Sequence, residues 1–355
     1  MATISFARGV PAPECLPVEQ LADCARTALE RDGRTVLSYG PSPGYAPLRE
    51  WLAERHGVDV GRVFVTNGSL QGFVFLAQRL AAGKRVLVEK PTYDRPLKIL
   101  RELGADIVGL HCDEEGLDPD ALQHALREGE QPAFLYLIPT FQNPSGRTLS
   151  EERRARIVEL AREHDLLVLE DDPYGLVRFE GEPLPSLLEL SGGETAYSSS
   201  FSKTIAPGLR VGWFVLPEAL AREIELTATS TYITPVLLGQ ATVHEFVTRG
   251  HFEPNLERVR DLIGQRRDAM LAALDRELPN VRTTRPDGGY FLWVELAGVD
   301  AADLLGRAEE AGVTFVKGTD FGGEPDTLRL AYSFVSVDEI ADGVGRLAAA
   351  LPAAV

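Results

Sequence analysis

The sequence predicts an α/β fold: a mostly parallel seven-stranded sheet flanked by helices, joined to a smaller α+β domain. Two observations carry this. Between residues 63 and 216, short apolar runs alternate with segments of helical periodicity, the pattern of a parallel sheet covered on both faces. After about residue 230 the alternation gives way to long helices, a group of strands and a closing helix.

A helix is expected over Pro17–Arg31, after which Pro41, Pro43 and Gly44 break the chain before the large domain. Seven strands are expected at Val63–Thr66, Arg85–Glu89, Ala105–Leu110, Ala133–Ile138, Leu166–Glu170, Thr195–Ser200 and Val211–Leu216. Between them Leu70–Ala82, Arg95–Leu103, Pro119–Arg127 and Glu151–His164 repeat apolar residues at three- and four-residue spacing, the last with Ser150 as N-cap. Helices over Val236–Arg249 and Glu253–Leu278, strands around Tyr290–Leu296, Val313–Val316 and Thr327–Tyr332, and a helix over Val337–Leu351 complete the chain. The expected division assigns residues 39–235 to the large domain, and joins 1–38 with 236–355 in the small one.

With 355 residues the chain is long enough for two domains, and 44% hydrophobic against 25% charged residues is an ordinary globular balance. Its 36 basic and 53 acidic residues leave a net charge of −17, which repels polyanions, so neither nucleic acid nor an anionic membrane is an expected partner. A small anion can still be held by nearby arginines and helix N-termini. Cys15, Cys24 and Cys112 are too few, and wrongly spaced, for a disulfide framework or a cysteine zinc site, and no metal is expected. A reducing compartment fits, and no basic-then-apolar leader precedes the first elements, so the expected location is the cytoplasm.

The most informative stretch is Ser198-Ser199-Ser200-Phe201-Ser202-Lys203, followed by Arg210 seven residues on. A lysine of depressed pKa there can form a Schiff base with a carbonyl, and serines with an arginine suit a phosphate dianion. A lone surface lysine after a polar turn is the simpler alternative. Ser200-x-x-Lys203 also permits a serine hydrolase, although the companion Ser-Asp-Asn and Lys-Thr-Gly motifs do not occur. Asn143-Pro144-Ser145-Gly146 lies just past a buried strand, where α/β sheets bind ligands, yet is also a common turn. Glu170-Asp171-Asp172-Pro173-Tyr174 puts carboxylates and a phenol at another strand end, and such acids often cap helices. Thr66-Asn67-Gly68-Ser69 leads into a helix N-terminus that binds an anion or is merely capped.

Together these segments resemble the fold-type I pyridoxal-phosphate aminotransferases, and within them the subgroup of 2-aminoadipate and kynurenine aminotransferases. The resemblance rests on Ile4-Ser5-Phe6, Pro11-Ala12-Pro13-Glu14, Ser38-Tyr39, Gly44-Tyr45-Ala46-Pro47-Leu48-Arg49, Phe134-Leu135-Tyr136-Leu137-Ile138-Pro139, Gln142-Asn143-Pro144-Ser145-Gly146, Glu170 to Tyr174, Ser200 to Lys203, and Leu328-Arg329-Leu330, and spans nearly the whole chain. It implies pyridoxal 5'-phosphate as cofactor, held covalently by Lys203, which would also move the substrate α-proton. Asp171 would pair with the ring nitrogen, Tyr174 and Asn143 would hydrogen-bond the ring hydroxyl oxygen, and Tyr93 would stack on the ring. Ser69 with the Leu70 and Gln71 backbone, Ser200, Ser202 and Arg210 would hold the phosphate, which Tyr39 would reach from the other subunit of a homodimer. Arg329, in a strand too apolar for a solvated arginine, would grip the substrate α-carboxylate, with Asn143 beside it.

The implied reaction is a ping-pong transfer of the amino group of an L-amino acid to a 2-oxo acid. A lyase, cyclase or oxidase would share the same cofactor clamp. Members of the subgroup carry an added N-terminal helix over the substrate side chain, and relatives fused to a DNA-binding module act as regulators. Here Ile4-Ser5-Phe6 begins almost at Met1, so neither is expected. Arg8 and Gly9, in the segment expected to cross the mouth of the site, are the candidate substitutes: Arg8 either pairs with an anionic side chain or is a solvated arginine.

Overall fold

The computed structural model describes residues 3–352. Its large sheet runs in the order Val63–Thr66, Gly212–Val215, Ala196–Ser200, Val168–Asp171, Leu135–Leu137, Arg85–Lys90, Asp106–Asp113 and Gly116–Leu117. Seven of these are the expected strands. The eighth is the two-residue Gly116–Leu117, too short to leave a periodic signal, which folds back antiparallel on Cys112 and Asp113. Five successive strands, from Ala196–Ser200 to Asp106–Asp113, pair in parallel. Gly212–Val215 is antiparallel to both its neighbours, because the short connection through 201–211 returns the chain at the same end of the sheet. That return loop carries Lys203 and Arg210.

Strand residues alternate between the two faces with period two. Phe134, Tyr136 and Ile138 share one core with Phe73, Leu76, Leu97 and Leu100 from the helices Ser69–Leu80 and Asp94–Glu102. Leu135 and Leu137 enter the opposite core with Leu122, Ile157 and Leu160 from the helices Pro119–Arg127 and Glu151–Glu163. Inside the second layer Arg154 is 1% exposed, and donates to the carbonyls of Leu149 and Pro139 and to Thr140 Oγ1. It thereby ties the helix to the loop that leads to Asn143.

The hydrophobic cores do not divide at residues 38 and 235. The amphipathic helix Val18–Val36 buries Cys24, Ala28 and Val36 in one cluster with Leu237, Ala241 and Phe246 of the helix Leu237–Thr248 and with Val63, Val65 and Trp213 of the large sheet. Both helices therefore belong with the large sheet, a contact made across some 200 residues of chain that local periodicity does not register.

The second core is built on the antiparallel order Arg282–Thr283, Phe291–Glu295, Thr327–Ala331, Val316–Lys317. It is covered by the helices Phe252–Glu277 and Val337–Ala350. The expected strand Val313–Val316 is split: Val313 and Thr314 pair in parallel with Ile4 and Ser5, whereas Val316 and Lys317 pair with the strand that carries Arg329. Ile4–Ser5 thus anchors the N-terminal segment to this unit, and the residues after it run on toward the large sheet.

Candidate active site

The site forms where the C-terminal ends of the parallel strands meet the N-terminal segment. Lys203 lies in the return loop, and its Nζ donates to the Gly9 carbonyl at 2.6 Å and sits 5.6 Å and 5.5 Å from the ring centres of Tyr174 and Tyr290. The Tyr290 hydroxyl donates to the Lys203 carbonyl, which fixes the loop from the other core. Burial, with Arg329 and Arg210 adding like charge, lowers the Lys203 ammonium to about 8. A lysine so placed has far more free amine at neutral pH than a surface lysine.

Three consecutive carboxyls end the strand Val168–Asp171, and the pleat separates them. Glu170 accepts from the Leu188 N–H, and burial pushes it up to about 8. Asp172 accepts from the Gly175 N–H and the Tyr197 hydroxyl, the local capping role expected of acids after a strand. Asp171 differs. Its Oδ2 accepts from the Tyr136 hydroxyl at 2.8 Å, and its Oδ1 is buried without a hydrogen-bond partner. Asp171 also lines a cavity of about 50 Å³ together with Ser69, Leu70, Tyr93, Tyr136 and Ser198.

At the same end of the sheet, Gly68 with φ +88° turns the chain into the helix Ser69–Leu80, whose N-terminus carries the positive end of its dipole. A Cβ at Gly68 would strike the Arg210 guanidinium, and one at Gly212 would strike the Ser69 backbone, so both glycines permit a close approach. Arg210 donates to the Asn67 carbonyl at 3.1 Å, and Ser200 Oγ to Ser202 Oγ at 2.8 Å. The Gln71 side chain turns back to accept from the Asn67 N–H. Ser69, Leu70, Gln71, Ser200, Ser202 and Arg210 are thus gathered around one helix N-terminus.

Arg329 is 7% exposed and lies between two rings, 4.2 Å from the centre of Phe291 and 4.7 Å from that of Phe321. It donates to Asn143 Oδ1 at 2.8 Å and to the Ala7 carbonyl at 2.9 Å, and its buried Nε has no partner. Burial lowers its pKa to about 10. A buried guanidinium held only by neutral groups is poised for an anion.

Tyr39 stands apart from this cluster in its own chain. It is 80% exposed, beside the turn at 234–236. That turn is nonetheless linked to the helix N-terminus, because the Val236 N–H donates to Asn67 Oδ1. Arg8 is exposed, with its guanidinium 5.1 Å over the Phe334 ring. The serine-hydrolase alternative finds no support, since Ser200 bonds to Ser202 and Val211 while Lys203 turns to Gly9.

Residues 12–347 match the family model for aminotransferase class I and II. The chain belongs to this family. The aminotransferase is 43% identical to a 2-aminoadipate transaminase of Thermus thermophilus, over 98% of this chain and 90% of that one. It is 34% identical to aromatic-amino-acid aminotransferase 1 of Thermococcus litoralis, over 97% and 87%. Among solved structures it is similar to the α-aminoadipate aminotransferase of Thermus thermophilus complexed with N-(5'-phosphopyridoxyl)-L-leucine, with a TM-score of 0.93, 40% identity, and 98% and 92% of the two chains covered.

The aminotransferase uses pyridoxal phosphate, and its residues fit that group. The orphaned Asp171 Oδ1 awaits a donor, the lysine amine is desolvated, and hydroxyls, a helix N-terminus and Arg210 surround a place for a dianion. Four contributors were not anticipated from sequence: Tyr136, Tyr290, Phe291 and Phe321. For Tyr136 a signal existed, because a tyrosine within a buried strand needs a partner for its hydroxyl. For the two phenylalanines none did, since a ring stacked on an arginine reads as an ordinary core residue.

Proposed function

We propose that this aminotransferase works as a cytoplasmic homodimer that takes an L-amino acid and a 2-oxo acid into one site, with the residue roles that follow. Pyridoxal phosphate supplies the aldehyde that takes up the amino group and the ring that accepts the electrons released with the α-proton. Lys203 would hold the aldehyde and, once freed by the incoming amino acid, would take the proton from the substrate α-carbon, for which an amine of lowered pKa is suited. Asp171 keeps the ring nitrogen protonated. Tyr93 would stack on the ring, Tyr174 and Asn143 would hydrogen-bond its hydroxyl oxygen, and Asn143 also holds Arg329. Arg329 binds the substrate carboxylate between Phe291 and Phe321, where water is excluded and the charge pair is strong.

The observation that carries this reading is the pair Arg329 and Asp171, two charged groups in one site, each with a buried atom lacking a hydrogen-bond partner. The test is borohydride reduction of the loaded enzyme followed by peptide mapping. Label on Lys203 is expected, and label on another lysine defeats the assignment.

The dimer is supported by Tyr39, Leu37, Ile233 and Val236, exposed together beside the Asn67 turn. In mixed Lys203→Ala and Tyr39→Ala subunits, half the dimers are hybrids with one intact site, so about a quarter of wild-type activity is expected. No recovery refutes a shared site. Arg8 is the residue proposed to meet an anionic side chain at the mouth, since its neighbours Ala7 and Gly9 contact Arg329 and Lys203.

A further inference from the structure

Tyr136 occupies a position that the reaction does not obviously require. It lies mid-strand in Leu135–Leu137, paired with Leu169 on one side and Val88 on the other, and is 1% exposed. The Phe73 and Tyr136 rings meet edge to face with their centres 5.2 Å apart. In such a place phenylalanine would serve as well, unless the hydroxyl has work. Its hydroxyl donates 2.8 Å to Asp171 Oδ2, leaving Oδ1 as the free acceptor.

We propose that Tyr136 is a positioning residue that fixes where the ring-nitrogen proton resides: its hydroxyl holds Asp171 ionised and turned so that Oδ1 faces the cofactor. The inference rests on the reading that the ring nitrogen meets Asp171. A nitrogen and a carboxylate that share one proton can place it on either atom, and only the ion pair leaves the ring cationic and electron-accepting. Asp171 is surrounded by opposing influences. Burial pushes its carboxyl up to about 6 and Asp172 adds to this, while the hydroxyls of Tyr136 and Ser198 and the charge on Lys203 pull it down. Tyr136 makes the 2.8 Å hydrogen bond to Asp171, and burial keeps its hydroxyl protonated well above its usual range, so it remains a donor throughout the working range of pH. Its loss raises the proton affinity of Asp171 by roughly 10- to 150-fold, the worth of one hydrogen bond to a charged group, and draws the proton off the ring.

The experiment uses holoenzyme loaded with pyridoxal phosphate labelled with ¹⁵N at the ring, and reads the nitrogen chemical shift. Tyr136→Phe should move the shift toward that of neutral pyridine and lower kcat roughly 10- to 100-fold, with KM for the amino donor within about threefold. Phe73→Leu, which loosens the same packing and leaves the hydroxyl, should lower thermal stability and leave the shift where it was. A shift that Asp171→Asn moves but Tyr136→Phe does not overturns the proposal. So does one that Phe73→Leu moves as far as Tyr136→Phe. A shift that Asp171→Asn itself fails to move defeats instead the underlying reading of Asp171.

Discussion

Gly9→Ala is a small change in a decisive place. The added methyl carbon would stand 2.5 Å from two carbons of the Phe291 ring, about 1 Å inside the ordinary contact distance of roughly 3.5–4.0 Å. The ring has nowhere to retreat: it is 1% exposed, and packs against both the Arg329 guanidinium and the Tyr174 ring. The N-terminal segment must lift instead, which strains the bonds from Lys203 to Gly9, from Arg329 to Ala7 and from Ser333 to Val10. A displacement of about 1 Å in groups that position reactants costs on the order of 100-fold, so kcat/KM should fall by about that factor for acidic, neutral and aromatic donors alike. The assay is the single-turnover half-reaction followed by cofactor absorbance, with a thermal melt alongside. Gly345→Ala, in the closing helix with open space around its Cβ position, is the control and should keep full activity. A Gly9→Ala enzyme within about threefold of wild type would show that the segment does not position Lys203 and Arg329, and a loss limited to one donor class would make Gly9 a side-chain contact.

The pH dependence of cofactor loading follows from the Lys203 value of about 8. Raising pH through 8 frees the amine, so the rate at which apoprotein captures pyridoxal phosphate should rise roughly tenfold from pH 7 to 9 and level off, whereas an unperturbed lysine would give about 100-fold and no plateau. Arg329→Lys should raise KM for amino and 2-oxo acids alike and lower kcat/KM by roughly 100-fold, because a point charge cannot replace a planar fork stacked between two rings. A change confined to one substrate would relocate Arg329 to the side-chain pocket. Arg154→Met removes the donor shared by Leu149, Pro139 and Thr140 and should cost about 3 kcal/mol, read as a melting temperature lower by roughly 4 °C. An unchanged melt would show that water replaces it. Arg8→Ala should lower kcat/KM for acidic donors by roughly 10- to 100-fold and leave neutral ones nearly unchanged, and equal small losses would leave Arg8 a solvated residue stacked on Phe334.

By itself the sequence determined the alternation that builds the large sheet and the chemistry collected at its strand ends. Both are local: an apolar run bounded by turn residues and a lysine after a serine-rich strand are visible within a dozen positions. The tertiary structure decided what depends on distant segments meeting. It divided Val313–Val316 between two sheets, because Val313 found Ile4 and Val316 found Arg329. It moved the helix Val18–Val36 onto the large core, because its apolar face fits Leu237 and Ala241. It distinguished Asp171 from Glu170 and Asp172, three acids alike in sequence, since only Asp171 was left with an unpartnered oxygen in the site. It also gave Tyr136 its partner, 35 residues away and on the neighbouring strand. A hydroxyl inside an apolar strand announces that a partner exists, but which one it finds is set by strand order, and strand order is a property of the assembled sheet.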